Sequence, residues 1–110
     1  MTRRYLFVCG KNRLRSPTAE HLFSGVPGIE TLSAGINRDA DELLTDELVA
    51  WANVIFVMER AHRKKVQTKH RAALHGRRVV VLGIPDNYAF MDPALVVLLR
   101  SKMRPWLPNA

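Results

Sequence analysis

Cysteine is nearly missing from this chain: its 110 residues contain one, Cys9. An internal disulfide is therefore excluded, and so are metal sites built from several thiolates. The four histidines, His21, His62, His70 and His75, fall at no metal-ligand spacing and are expected to be solvated. No apolar run approaches the ~20 residues that a membrane span needs, so no membrane association is expected. The opening Met1-Thr-Arg-Arg-Tyr-Leu-Phe-Val-Cys9 has the basic start of a secretory leader. Its apolar part is too short for one, and no small-residue cleavage site follows. A working thiol needs a reducing compartment, so the cytoplasm is the expected location. Acids are missing from Arg60 to Arg78, where eight Lys or Arg account for more than the whole net charge of +7. Aromatic residues are scarce, and none interleaves these cations to stack on bases, which argues against nucleic acid. The segment reads as a solvated helix face and loop, or as a patch at residues 60–78 for an acidic partner or a phosphorylated substrate.

What is present is enough for one core. Apolar residues make up 47% and charged residues 25%, ordinary values for a single globular domain over residues 1–110. The chain is organised around Cys9-Gly-Lys-Asn-Arg-Leu-Arg15-Ser16-Pro17. This stretch starts where an apolar run over residues 4–8 stops, and it ends where a helical pattern begins. A loop between a buried strand and a helix N-terminus collects backbone N–H groups with no intrahelical partner, and such loops bind phosphate. A thiol stands at its entrance and a guanidinium at its exit. Positive charge activates a thiol as a nucleophile, and an arginine grips two phosphate oxygens at once. Cys9, Arg15 and the loop amides from Gly10 through Lys11, Asn12, Arg13 and Leu14 are thus the parts for covalent phosphoryl transfer.

The remaining elements follow in order. Pro17 falls in the first turn of helix one with Ser16 as N-cap. Ile29 to Leu32 alternates as strand two and closes on Ser33-Ala34-Gly35. Thr45 caps a second helix in which Leu48, Val49 and Trp51 face inward. Strand three covers 54–58, a basic third helix Glu59 to about Lys69, and strand four 79–82. Asp92-Pro93 caps the last helix, Ala94 to about Met103, and Trp106 lies in a proline-rich tail. Four strands alternating with helices predict an α/β fold: a doubly wound, four-stranded parallel sheet with helices on both faces. In such sheets sites form beyond the C-terminal strand ends, and Cys9, Ser33 and Asp86 all follow strand ends.

Val8-Cys-Gly-Lys-Asn-Arg-Leu-Arg-Ser-Pro-Thr-Ala-Glu20 resembles the signature loop of low-molecular-weight protein tyrosine phosphatases, whose relatives include arsenate reductases and arginine phosphatases. The resemblance runs along nearly the whole chain. It implies a metal-free phosphomonoester hydrolase, most simply of phosphotyrosine in a protein or of a small phosphomonoester, with a cysteinyl-phosphate intermediate and no cofactor. Asn12 would bend the loop in a left-handed conformation. Ser16 would donate to the Cys9 sulfur, and Ser33 would hydrogen-bond under the loop.

A carboxylic acid must protonate the leaving oxygen and later activate water. Asp86 stands where the family keeps its acid, within Asp86-Asn-Tyr88 where the family usually has Asp-Pro-Tyr. Asp92-Pro93 matches the dipeptide, but capping already explains it, so Asp86 is preferred and Asp92 is the alternative. Tyr88 and Arg13 would wall the substrate, Arg13 either favouring acidic substrates or crowding a phenyl ring. The polar stretch 37–44 looks abbreviated against the family, which implies a shorter substrate wall. Leu14 stands where a second cysteine is frequent, so oxidised Cys9 is expected to lack rescue by an internal disulfide. Two other readings remain: a module that binds phosphate without turning it over, and an arsenate reductase served by an external thiol.

Overall fold

The computed structural model describes residues 2–108. Its sheet has four parallel strands, β1 Arg3–Cys9, β2 Ile29–Gly35, β3 Val54–Val57 and β4 Arg78–Val81, in the order β2-β1-β3-β4. The helices are α1 Arg15–Phe23, α2 Asp46–Trp51, α3 Arg60–Lys69 and α4 Pro93–Met103, followed by a 3₁₀ turn at Arg104–Trp106.

β1 is central because its residues are apolar on both faces. From Tyr5 to Cys9 no residue is more than 3% exposed. The two-residue pleat period then divides them. Tyr5, Phe7 and Cys9 join Ala19 and Phe23 of α1 and Leu95, Leu99 and Met103 of α4 on one face. Leu6 and Val8 join Val49 of α2 and Val66 of α3 on the other. The sheet is thus covered on both faces, as its near-continuous apolar strands require.

The tail folds back onto the first face. The Tyr5 hydroxyl donates to the Trp106 carbonyl at 2.6 Å, and the indole meets the Phe56 ring edge-on at 5.3 Å. Thr45 caps α2 by accepting the Leu48 amide, and Asp92 caps α4 by accepting the Ala94 amide. Ser16 is a correction. It lies inside α1, whose N-cap is Leu14 with no capping side chain, because the Ser16 hydroxyl is drawn to the Cys9 sulfur.

β2 and β3 flank β1 on opposite sides, and the connections leaving β1 and β3 run to helices on opposite faces, which opens a crevice at the C-terminal ends of these two strands. Cys9 is the last residue of β1.

Candidate active site

The loop after β1 has most of its carbonyls occupied and its amides free. The carbonyls of Cys9, Gly10 and Lys11 accept from the amides of Ile36, Asn37 and Asp41 at 2.9–3.0 Å, and Leu14 accepts from Thr18. The amides of Gly10, Lys11, Asn12, Arg13 and Leu14 have no protein acceptor among the described residues. A run of unpaired N–H groups at a helix entrance is an anion nest.

Segment 36–41 can reach the loop only because residue 35 is glycine. A Cβ there would lie 2.5 Å from the Ala40 Cβ and 2.7 Å from the Gly10 carbonyl. Gly35→Ala must push the phosphate loop away, since the obstacles are not flexible side-chain ends. The expected cost is about 1–3 kcal/mol. A thermal melt should show it as a loss of roughly 5 °C or more, together with weakened phosphate binding.

Asn12 adopts φ +56°, the left-handed region that asparagine tolerates. Its Nδ2 donates to Ser16 Oγ at 2.9 Å, and Ser16 Oγ lies 2.9 Å from Cys9 Sγ. Having accepted from Asn12, the hydroxyl can give its own proton to the sulfur. All three side chains are buried.

Arg15 closes the other side. It is 4% exposed, and its Nη1 donates to Glu59 Oε2 at 2.7 Å and to the Ile84 carbonyl at 2.8 Å. Asp86 Oδ1 lies 3.7 Å from Nε. Two of the five guanidinium protons are thereby used, which leaves Nε–H and both protons on Nη2 for an incoming anion. The hydrogen bond from Arg15 holds the Glu59 carboxyl below its usual range. Cys9, Gly10, Lys11, Arg13, Leu14 and Arg15 line one cleft of about 400 Å³, together with Asn37, Glu59, His62 and Asp86.

No protein-family model matches the chain. A curated relative does: the protein named "Probable low molecular weight protein-tyrosine-phosphatase EpsP" from Ralstonia nicotianae. It is 30% identical over 117 aligned positions, covering 84% of this chain and 79% of the relative. The chain belongs to the low-molecular-weight protein-tyrosine-phosphatase family. Solved structures share its fold. The tyrosine phosphatase Wzb from Escherichia coli K30, in complex with phosphate, superposes with a TM-score of 0.77 at 22% identity over 96% of each chain. The YwlE arginine phosphatase from Geobacillus stearothermophilus gives 0.63 at 22% identity, over 94% of this chain and 84% of the other.

Within this phosphatase fold several expected placements need correction. Ser33 lines a small cavity with Asn12 of the loop, but its hydrogen bond goes to α1 and not to a loop residue. It pairs in register with Phe7, so the pleat turns it toward α1, where its hydroxyl donates to the Glu20 carboxylate. Tyr88 does not line the cleft, because it packs half-buried against the α1/α4 core. Arg13 lines the cleft, but Asp41 holds its guanidinium at 3.0 Å and raises its pKa, chiefly through that hydrogen bond. Lys11 likewise faces Asp39 at 3.8 Å. Segment 37–44, short as it is, forms an acidic wall against the basic loop. Asp92 is occupied in capping α4 and is not among the cleft residues, whereas Asp86 is.

Two histidines are not free in solvent. His70 meets Asp46 at 2.6 Å. His62 is only 7% exposed and lines the cleft. Its Nδ1 accepts the Glu59 amide at 3.2 Å, and the Glu59 side chain returns the bond at the start of α3. A glutamate followed three residues later by a residue able to accept back is a capping-box spacing, the one local signal that could have found this pair.

Thr18 was also missed. Its hydroxyl donates to the Leu14 carbonyl at 2.6 Å and accepts the Met91 amide at 2.9 Å. It thus ties the loop that carries Asp86 to the phosphate loop.

Burial and then the Arg15 charge lower the His62 pKa below the ordinary 6.5. The unfolded chain therefore binds a proton more readily here than the native one. Native stability should fall as pH drops below about 6.5 and level off once the native pKa is passed. Denaturant melts across pH should show this slope, and His62→Gln should remove it. The Glu59 contribution has a different window. It is present above the ordinary carboxylate pKa of 4.5 and is lost as pH falls through the lower native value.

Proposed function

We propose that this family member is a phosphomonoester hydrolase, acting on phosphotyrosine, that works through a cysteinyl-phosphate intermediate. The observation that carries the reading is the convergence of Gly10, Lys11, Arg13 and Leu14, whose amides have no protein acceptor among the described residues, with Arg15 and Cys9 on one cleft. Phosphate oxygens bind the amides of Gly10 to Leu14 and the free edge of Arg15. The Cys9 thiolate attacks phosphorus in line. An S–P bond forms as the P–O bond to the leaving group breaks, and Asp86 protonates the departing oxygen. Water, deprotonated by Asp86, then attacks phosphorus and releases inorganic phosphate and the thiolate. The amides and Arg15 stabilise the equatorial oxygens in both steps. Ser16, oriented by Asn12, assists sulfur as attacking and leaving group.

Lys11 and Arg13 on the cleft rim are each paired with an aspartate, so phosphotyrosine and phosphoarginine are separated by the shape of the cleft and not by rim charge. Turnover of the two separates these substrates directly.

The test of the mechanism compares Asp86→Asn with Asp92→Asn on two aryl phosphates. Asp86→Asn should lower kcat about 10²–10³-fold on phenyl phosphate. The loss should be smaller on para-nitrophenyl phosphate, whose leaving oxygen is a stable anion. Asp92→Asn should leave kcat in place and cost at most about 1 kcal/mol of stability. If the wild type binds phosphate but turns neither ester over, the protein is a phosphate-binding module.

A further inference from the structure

Apart from Arg15, the cations of the phosphate loop and those of α3 differ in their pairing. Lys11 and Arg13 on the phosphate loop face Asp39 and Asp41. The exposed Arg60, Arg63, Lys64, Lys65, Lys69 and Arg71 have no acidic partner among the described residues. Six unpaired like charges on and just after a ten-residue helix raise the local positive potential and attract acidic groups.

We propose that α3 is a docking surface for an acidic stretch of the phosphoprotein whose phosphorylated side chain enters the cleft. This inference rests on the hydrolase reading given above. Continuity with the cleft supports it. The first turn of α3 places His62 in the cleft lining. One turn on, Lys65 Nζ donates to Asn37 Oδ1 at 3.2 Å, and Asn37 is itself a lining residue. Lys69 follows four residues later on the same side, about 6 Å further along the helix. An extended peptide repeats the direction of its side chains every two residues, roughly 6.7 Å. Acids at alternate positions of a strand leaving the cleft therefore meet Lys65 and Lys69 in succession.

Two other anionic partners fit less well. The exposed residues among the α3 cations are Ala61, Gln67 and Thr68, with no aromatic platform for bases and no large apolar anchor for a bilayer. Trp106 packs on the opposite face of the sheet from α3, where Arg78 covers its ring at 4.8 Å.

The test measures binding by fluorescence anisotropy to the Cys9→Ser protein, which cannot consume its ligand. Two labelled phosphotyrosine peptides are compared, one with glutamates at alternate flanking positions and one with alanines there. The acidic peptide should bind about fivefold tighter in 0.1 M salt, and the preference should vanish in 1 M salt. In Lys65→Glu/Lys69→Glu the preference should reverse, and in Lys65→Gln/Lys69→Gln it should disappear.

Equal affinities for the two peptides overturn the proposal. So does a preference that survives charge reversal, or tighter binding of oligouridylate or phosphatidylserine vesicles than of the acidic phosphopeptide. Wild-type turnover of para-nitrophenyl phosphate is measured in parallel. An active enzyme without the acidic preference overturns the docking surface alone. An inactive protein that keeps the preference overturns the hydrolase reading alone.

Discussion

Cys9→Ser should reduce hydrolysis of para-nitrophenyl phosphate by at least about 10⁴-fold, since removing a nucleophile removes the whole covalent route. Phosphate binding should persist. Cys9 is 3% exposed at the end of a central strand, and a serine fills nearly the same volume, so the amide nest stays intact. A serine hydroxyl is a far weaker nucleophile than a thiolate, and Ser16 is no base for it. Ser16 accepts from Asn12 and has only a proton to offer at 2.9 Å from the sulfur. Ser16→Ala should therefore be milder, roughly tenfold, the scale of one hydrogen bond to a charged group. Rapid-quench detection of phosphoenzyme in the wild type, absent from Cys9→Ser, would establish the intermediate. Residual turnover in Cys9→Ser within tenfold of the wild type would dismiss the covalent mechanism.

Arg15→Lys should cost about 10³-fold in kcat/KM despite conserving charge. The arginine serves two sets of acceptors at once. Nη1 is committed to Glu59 and the Ile84 carbonyl, and the opposite edge is free for two phosphate oxygens. A lysine has one ammonium and no fork, so it can satisfy the protein or the phosphate but not both. The substitution also weakens the anchor of the Glu59 carboxylate that lines the cleft. Phosphate affinity and kcat should fall together, because the bidentate grip tightens as the phosphoryl group flattens. Glu59→Gln probes the positioning side of the same arrangement. The amide oxygen can still accept from Arg15, so a loss near tenfold is expected, mainly in kcat. If Arg15→Lys and wild type differ by less than about threefold, Arg15 does not bind the transferring group.

The two predictions differ in how far the sequence could carry them. The span Cys9 to Arg15 was legible because strand, loop and helix entrance are contiguous. The apolar run, the left-handed propensity of asparagine and a proline in the first helical turn are all local signals. The cap assignments for Thr45 and Asp92 were legible for the same reason. The acids around Arg15 were less so. Glu59 is 44 positions from Arg15 and reads locally as the start of a basic helix. His62 reads as one more polar residue on that helix, and only the packing of α3 against the sheet buries it. Arg13 had a visible charge but not a visible partner, since Asp41 reaches it from 28 positions away.

By itself the sequence determined the α/β class and the strand–loop–helix span that carries Cys9 and Arg15, because each depends on neighbours within a few residues. Tertiary structure alone decided what those groups face. Strand order places β1 between β2 and β3, and that brings segment 36–41 to one side of the phosphate loop and Glu59, His62 and Asp86 to the other. The pleat register sends Ser33 to Glu20 instead of to the loop. Side-chain partners across a doubly wound sheet are set by which strands are adjacent, and that property has no counterpart in local sequence.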